Sequence, residues 1–336
     1  MIERVRRLFV RRSFSGGLCL WMTALLLLAG CQKHEADQPV VLGITPFSGY
    51  AYFYLADAKG FLKQHGANVE LTDFSSLADV RRAYERGQID VMPGTLVELL
   101  GVLSMSDHAA QAFLVIDYSK GADALLADSK IKTIAELKGK KIAFEAGTVD
   151  MVMLHHALQS AGMTLADIKP VPMPQAEMPA AFASGKIDAA EVYPPVSLEI
   201  LASGKAHKLF DSSQVPLTVA DVLIAEKDYI QKKSGELAAL VKAYYEAKDF
   251  AQAHPEEARR IICQRIGIRE EDYDSAFQGV EFFGVEEQAG LLQSKGSIEN
   301  VLIKTHEVLK QYGFFKDIDF TVKKVNDSIV KKVRPS

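Results

Sequence analysis

A faint internal duplication constrains this chain more than any other feature. Val40-Val41-Leu42-Gly43-Ile44 reads as a buried strand and runs through Pro46, Phe47, Ser48, Gly49 and Tyr50 into a helical pattern. Lys141-Ile142-Ala143-Phe144 does the same through Glu145, Ala146, Gly147 and Thr148. Gly49 and Gly147 lie 98 residues apart. The units also close alike. Gly87-Gln88-Ile89-Asp90 and Gly185-Lys186-Ile187-Asp188 each precede an apolar run, and Asp90 and Asp188 are again 98 apart. The closing glycine suits a helix end, because it takes left-handed backbone without a Cβ penalty. Each unit therefore reads strand, glycine-containing loop, helix, strand, helix, strand. Strands alternating with helices predict an α/β fold of mostly parallel sheets flanked by helices. Two apolar stretches, at 113–118 and 219–225, read as crossings between the units. The expected layout is two-lobed: residues 39–119 and 223–336 in a discontinuous first lobe, 120–222 in a second, with hinges near 119–122 and 219–222. Roughly 300 residues after Pro39 are enough for two such lobes.

The amino terminus adds an address. Arg4, Arg6, Arg7, Arg11 and Arg12 precede a charge-free apolar stretch from Ser13, which ends in Leu28-Ala29-Gly30-Cys31. A basic flank, a short apolar region and small residues before a cleavage point predict a secretory signal over residues 1–30. Leu-Ala-Gly-Cys resembles the lipobox of bacterial lipoproteins, which implies cleavage before Cys31 and lipid attachment (diacylglycerol, palmitate) to its thiol. Residues 31–38 would then be a polar tether. An uncleaved span is the alternative, since 18 residues sit at the lower edge of the roughly 17–25 needed; Gly16, Gly17 and the cysteine favour processing. Five arginines and one glutamate leave with the leader, from 39 basic and 43 acidic residues, so the remainder carries a formal charge of −8. That acidity disfavours nucleic acid and anionic lipid as partners. Cys263 is left as the one free thiol, which excludes an internal disulfide and a cysteine metal cluster.

Several short segments, in order, carry a family resemblance: Ala56-Asp57-Ala58-Lys59-Gly60-Phe61, Gly87-Gln88-Ile89-Asp90-Val91, residues 134–143, Gly147-Thr148 and Ala220-Asp221-Val222-Leu223-Ile224. Over residues 40–312 the chain resembles the solute-binding proteins of ABC importers, in the branch that includes nitrate, taurine, alkanesulfonate and thiamine-pyrimidine binders. The resemblance implies a type II periplasmic binding protein fold, whose two lobes close on a small-molecule ligand. It also implies docking on a membrane permease with a separate ATPase subunit. Where the family often carries Trp-Glu-Pro, this chain has Tyr193-Pro194-Pro195. The implied location is the periplasmic side of a bacterial membrane, lipid-anchored, with the inner membrane favoured and the outer left open.

Ligands of open α/β sheets bind beyond the carboxyl ends of strands. That rule selects Phe47, Ser48 and Tyr50 after the first strand, Ser75 and Ser76 after the second, and Gly94 and Thr95 after the third. It adds Asp117 and Tyr118 on the first crossing, Thr148 and Asp150 in the second unit, Glu191 and Tyr193 beyond them, and Asp221 on the return. Ser76, Thr95 and Thr148 at helix starts suit an anionic group, and Ser and Asp there also serve as caps. Against that stand the carboxylates of Asp117, Glu145, Asp150, Glu191 and Asp221, with no arginine on these loops. Carboxylates in a low-dielectric cleft favour an amine-bearing group, and Tyr50, Tyr118 and Tyr193 can face a flat ring or a cation.

Catalytic motifs are lacking. There is no Gly-x-x-x-x-Gly-Lys-Ser/Thr loop and no Gly-x-Ser-x-Gly elbow. The adjacent His155 and His156 would point about 100° apart on a helix. The expectation is therefore a monomeric, cofactor-free and metal-free binding protein, not an enzyme, that captures a nitrogen-bearing or zwitterionic metabolite by hinge closure. The alternatives are an extracytoplasmic sensor lobe for a signalling partner and a sulfonate or oxyanion binder of the same fold.

Overall fold

The computed structural model describes residues 38–105, 108–216, 218–310, 313 and 315–333. The leader and Cys31 lie outside them. Residues 40–336 form one compact unit.

Among the described residues, eleven strands make two sheets. The first contains β1 (Val40–Ile44), β2 (Val69–Asp73), β3 (Val91–Thr95), β4 (Ala110–Ser119), β10 (Ala220–Glu226) and β11 (Val280–Phe282), in the order β11-β4-β10-β3-β1-β2. The second contains β5 (Ala124–Asp128), β6 (Lys141–Phe144), β7 (Lys169–Pro172), β8 (Ala189–Val192) and β9 (Ala206–Asp211), in the order β7-β6-β8-β5-β9. Both sheets are mixed. β1 is parallel to β2 and β3, and β6 is parallel to β7 and β8. β10 then runs antiparallel beside β3, as β5 does beside β8. The duplicated strands thus occupy matching places, β3-β1-β2 and β8-β6-β7, each followed by one reversed strand.

The local chemistry of the two units matches as well. Gly87 and Gly185 end their helices at φ 66° and 70°. Gln88 N–H and Lys186 N–H then return to Ala83 and Ala181, satisfying carbonyls at the helix ends. The Asp90 carboxylate accepts from Val41 N–H at 2.8 Å, and the Asp188 carboxylate accepts from Lys141 N–H at 2.8 Å. Each aspartate therefore ties the start of the third strand to the start of the first. β7 carries Pro170 and Pro172 and lies at a sheet edge, where missing N–H groups cost no ladder bond.

The helices cover the sheets with their apolar faces. Phe53 and Tyr54 of the helix Ala51–Ala58, with Leu237, Leu240, Val241 and Tyr244 of the helix Ser234–Ala253, are all buried in the main core. A smaller core under the five-stranded sheet holds Met178, Phe182, Ile187 and Ile200. No helix of the described residues is long and apolar enough to cross a membrane.

The chain passes between the sheets twice, through residues 120–123 and 212–219. These passages are tied together. Ser119 and Ser212 share a hydroxyl hydrogen bond of 2.6 Å, Gly121 N–H donates to Ser212 Oγ, and Ser119 N–H donates to Val219 O. Gly279 lies against them at φ 83°, and a Cβ there would sit 2.7 Å from Ala122 N. Backbone approach that close needs glycine.

Candidate functional site

The carboxyl ends of β1, β3, β6 and β8, with the amino-terminal ends of the reversed strands β5 and β10, converge between the sheets. They enclose a cavity of about 280 Å³, solvent at its mouth included. Phe47, Tyr50, Thr95, Tyr193 and Asp221 line it, and all five were selected from the sequence. Thr45, Leu77, Asp123, Val149 and Val219 line it too and were not selected. Of these, Asp123 was the most consequential to miss. It immediately precedes β5, a strand the duplication does not include, and nothing in its local sequence marks it out.

Most of the other candidates are held away from the cavity wall by identifiable bonds. Ser48 is buried and donates to Ala276 O at 2.7 Å. Ser76 is the N-cap of the helix Leu77–Glu85 and accepts from Asp79 N–H, while Ser75 is exposed beside it. Gly94 is paired inside β3, with Glu98 packed where a side chain would go. Thr148 donates to Glu145 O, closing the loop after β6. Asp150 accepts from Glu145 N–H and Gln175 Nε2, both at 2.8 Å. Asp117 and Tyr118 are neighbours on β4, so their side chains leave by opposite faces. Asp117 turns inward against Gly49 and is fully buried. Tyr118 turns outward and donates to Glu281 at 2.6 Å. Glu191 shares the face of Tyr193 and is 1 % exposed.

The electrostatics are lopsided. Glu98, Asp117, Asp123, Glu145, Asp150, Glu191 and Asp221 are all buried. Burial is the leading cause that pushes each of their carboxyls upward. Asp123 is pushed up to about 6. Asp221 pushes neighbouring Asp117 up, a hydrogen bond between the two holds Asp221 down, and the Tyr50 hydroxyl also donates to Asp221. Both oxygens of Asp117, both of Glu191 and Oδ2 of Asp123 are buried without a hydrogen-bond donor. Desolvated carboxylates of this kind must hold protons or meet a cation. Burial and the surrounding acids also push the phenols of Tyr50 and Tyr193 upward, so both stay neutral donors.

At the helix starts that the sequence offers to an anion, three backbone N–H groups are already bonded inside the protein. Glu98 accepts from Thr95 N–H at 2.7 Å, from Thr95 Oγ1 at 2.6 Å, and from Val149 N–H across the cavity at 3.1 Å. Glu145 crosses in the other direction, accepting from Ala78 N–H at 3.3 Å. The protein's own carboxylates occupy the donors. One arginine does approach, which no loop sequence indicated. Arg81, bonded to Glu85 at 3.0 Å, brings its guanidinium 3.1 Å from where a Gly147 Cβ would lie.

Phe47 meets Tyr50 and Tyr193 edge-on, at centroid distances of 5.2 and 5.5 Å, and forms an aromatic flank. No group of three metal-ligating side chains is assembled among the described residues. His155 is buried, and desolvation pushes its imidazole down to about 4, which suits a neutral core residue.

The arrangement has known counterparts. The chain is similar to the taurine-binding periplasmic protein of Escherichia coli, at 27% identity over 263 residues that cover 75% of this chain and 80% of that protein. The ligand-binding component of an ABC-type import system from Staphylococcus aureus superposes with a TM-score of 0.72 at 15% identity, over 89% of this chain and 100% of that one. The desulfurization enzyme DSZB superposes with a TM-score of 0.65 at 16% identity, over 88% and 99% of the respective chains. One fold therefore serves both binding and catalysis. The family model described as NMT1/THI5 like matches residues 48–258, well over half the chain, and the protein belongs to that family.

Proposed function

We propose that the protein is the extracytoplasmic solute-binding component of an ABC importer, taking a small nitrogen-bearing metabolite into the cavity between its sheets. The observation that carries this reading is the cavity itself, walled from both sheets and flanked by two chain passages bonded to each other. The matches to a periplasmic taurine-binding protein and to an import-system component support the same role.

In this reading residues 39–119 and 223–336 move as one lobe and 120–222 as the other, with 119–122 and 219–222 as hinges. The bonds that Glu98 and Glu145 make across the cavity hold the closed form, and solute contacts with both walls shift the balance toward it. Phe47, Tyr50, Thr95, Tyr193 and Asp221 touch the solute directly. Ser48, Ser75, Ser76, Gly94, Asp117, Tyr118, Thr148, Asp150 and Glu191 shape or charge the surroundings. No residue is assigned a catalytic role. The closed monomer docks on a permease whose ATPase is a separate subunit. Lipid on Cys31 keeps it near that permease and raises its effective concentration there.

Native mass spectrometry of protein purified without denaturation would identify a copurifying metabolite. Solution scattering before and after its removal should then show expansion on release. Identical scattering curves would refute capture by closure.

A further inference from the structure

We propose that the cavity receives a small organic cation, a protonated amine or amidine, with its nitrogen against Asp123 and Asp221 and its carbon frame against Phe47 and Tyr193. This rests on the reading of the cavity as the solute site and narrows what that site takes.

Three independent observations converge. First, the anion-receiving groups are already used: the N–H donors of Thr95, Val149 and Ala78 point at Glu98 and Glu145. A sulfonate or nitrate would have to displace a carboxylate of the protein to reach those three N–H groups. Second, Asp123 lines the cavity, is 4 % exposed, and has an Oδ2 without a donor. Ser119 Oγ accepts from the backbone N–H of Asp123 and also acts on its carboxyl, yet Oδ2 is left without a donor. An acceptor buried unserved in a cavity wall calls for a donor from the ligand. Third, Tyr50 is the donor recorded for Asp221, while neither oxygen of neighbouring Asp117 has one. Asp117 and Asp221 pair with each other, so one of them holds a proton that a cation would replace.

The nearby bases answer this charge only in part, Arg81 acting on Glu98 and Lys208 on Asp123 and Glu191. Arg81 is bonded to Glu85, and Lys208 to Asp211 and Gly121 O. Among the described residues no basic side chain lines the cavity. An ammonium or amidinium supplies both the charge and the donors, and the aromatic flank accepts the remainder of such a ligand. A zwitterion such as taurine would satisfy the carboxylates with its amine and bring its sulfonate against the others.

A linkage follows. The groups acting on Asp123 are Ser119, Glu98 and Lys208, and Asp123 in turn acts on Glu191, Asp150 and Tyr193; those acting on Asp221 are Tyr50, Asp117, Asp123 and Glu98. With burial and mostly acidic neighbours, these carboxyls keep their protons to higher pH than ordinary ones, Asp123 up to about 6 and Asp221 up to about 8. A cation replaces those protons, so its affinity rises with pH.

The test uses the full chain, freed of copurified solute. Benzylamine and benzamidine serve as cation probes, benzyl alcohol as a neutral analogue, and taurine, benzenesulfonate and nitrate as anionic or zwitterionic probes. At millimolar concentration a cation probe should raise the melting temperature and compact the protein in solution scattering. It should bind about tenfold tighter near pH ~8 than near pH ~6. Asp123→Asn should weaken it by about thirtyfold or more, whereas Asp188→Asn, remote from the cavity, should not. Circular dichroism confirms that both variants fold. Stabilisation by the sulfonates or nitrate, with none by either cation, overturns the cation assignment and leaves solute capture intact. No response to either cation overturns it as well, as does an affinity that Asp123→Asn leaves unchanged. Cation binding without compaction instead counts against capture by closure.

Discussion

In the six-stranded sheet the chain leaves β1 through a turn of 3₁₀ helix in which Gly49 has ordinary backbone angles but no room. A Cβ there would lie 2.3 Å from Asp117 Oδ2 and 2.4 Å from the Phe47 ring. In the five-stranded sheet the chain leaves β6 through a loop in which Gly147 adopts φ 81° and has room, with only the end of Arg81 nearby. The two glycines share a sequence spacing but not a structural role. The paired aspartates show why. Asp90 bonds Val41 and Asp188 bonds Lys141, so the first strands correspond at a separation of 100 residues while the glycines are 98 apart. The loop after β6 is two residues shorter and must turn through left-handed backbone. The longer loop after β1 has space to fold inward and bring Phe47 and Tyr50 to the cavity.

This contrast can be broken at its strongest point by two substitutions. Gly49→Ala should cost about 3 kcal/mol by overpacking and displace Phe47 into the cavity. Gly147→Ala should cost about 1 kcal/mol through backbone strain alone. Chemical denaturation of the two variants checks the order, and equal losses would mean that the loops do the same job.

The walls also differ in charge compensation. Asp221 on the six-stranded side has the Tyr50 hydroxyl, whereas Asp123 Oδ2 and Glu191 on the five-stranded side have no donor. Asp123→Asn should therefore stabilise the empty protein near pH ~8 by about 2 kcal/mol, because it removes an ionised group from a buried site. The sign for the wild type follows from the same shift. The folded-state pKa lies above the unfolded value, so the folded chain binds more protons. Stability is then fullest below about 4 for Asp123 and falls as pH rises toward about 6. Glu191→Gln should act in the same direction. Melting temperatures from pH ~5 to ~8 measure both, and a melting temperature that rises over that range contradicts the assignment.

A smaller effect tests where the two units agree. Asp90→Ala and Asp188→Ala each remove one acceptor from a strand N–H and should cost about 1 kcal/mol, with a little more for Asp90, which also bonds Tyr229. A large difference between them would show that one bond is dispensable to its sheet. Least of all should Cys31→Ser alter the fold: it should release the protein from the membrane fraction and leave melting and solute affinity unchanged.

The fold was legible because its signals are local and repeated. Apolar strands of four or five residues, helix-ending Gly87 and Gly185, and strand-tying Asp90 and Asp188 each state their role within a few positions. The site was only partly legible. Phe47, Tyr50, Thr95, Tyr193 and Asp221 follow from the rule that ligands meet strand ends, and all five line the cavity. The rule fails for Tyr118 because two neighbours on a strand cannot face the same way. It fails for Ser76 and Thr148 because a hydroxyl at a turn finds backbone partners before it finds a ligand. It is silent on Asp123, Leu77 and Val149, which reach the cavity only once one sheet faces the other.

By itself the sequence determined the α/β class, the repeated unit and which strand ends could face a ligand, since those depend on periodicity, turn chemistry and strand polarity. The tertiary structure decided which side chains meet at the site. Whether Glu98 and Glu145 are solvated or spend their charge on helix starts across the cavity depends on contacts 51 and 67 residues apart in the chain. Whether Asp123 is paired or left without a donor depends equally on distant neighbours, and burial sets the consequence. Long-range packing therefore gathered buried carboxylates around a cleft that local sequence could assign to either charge.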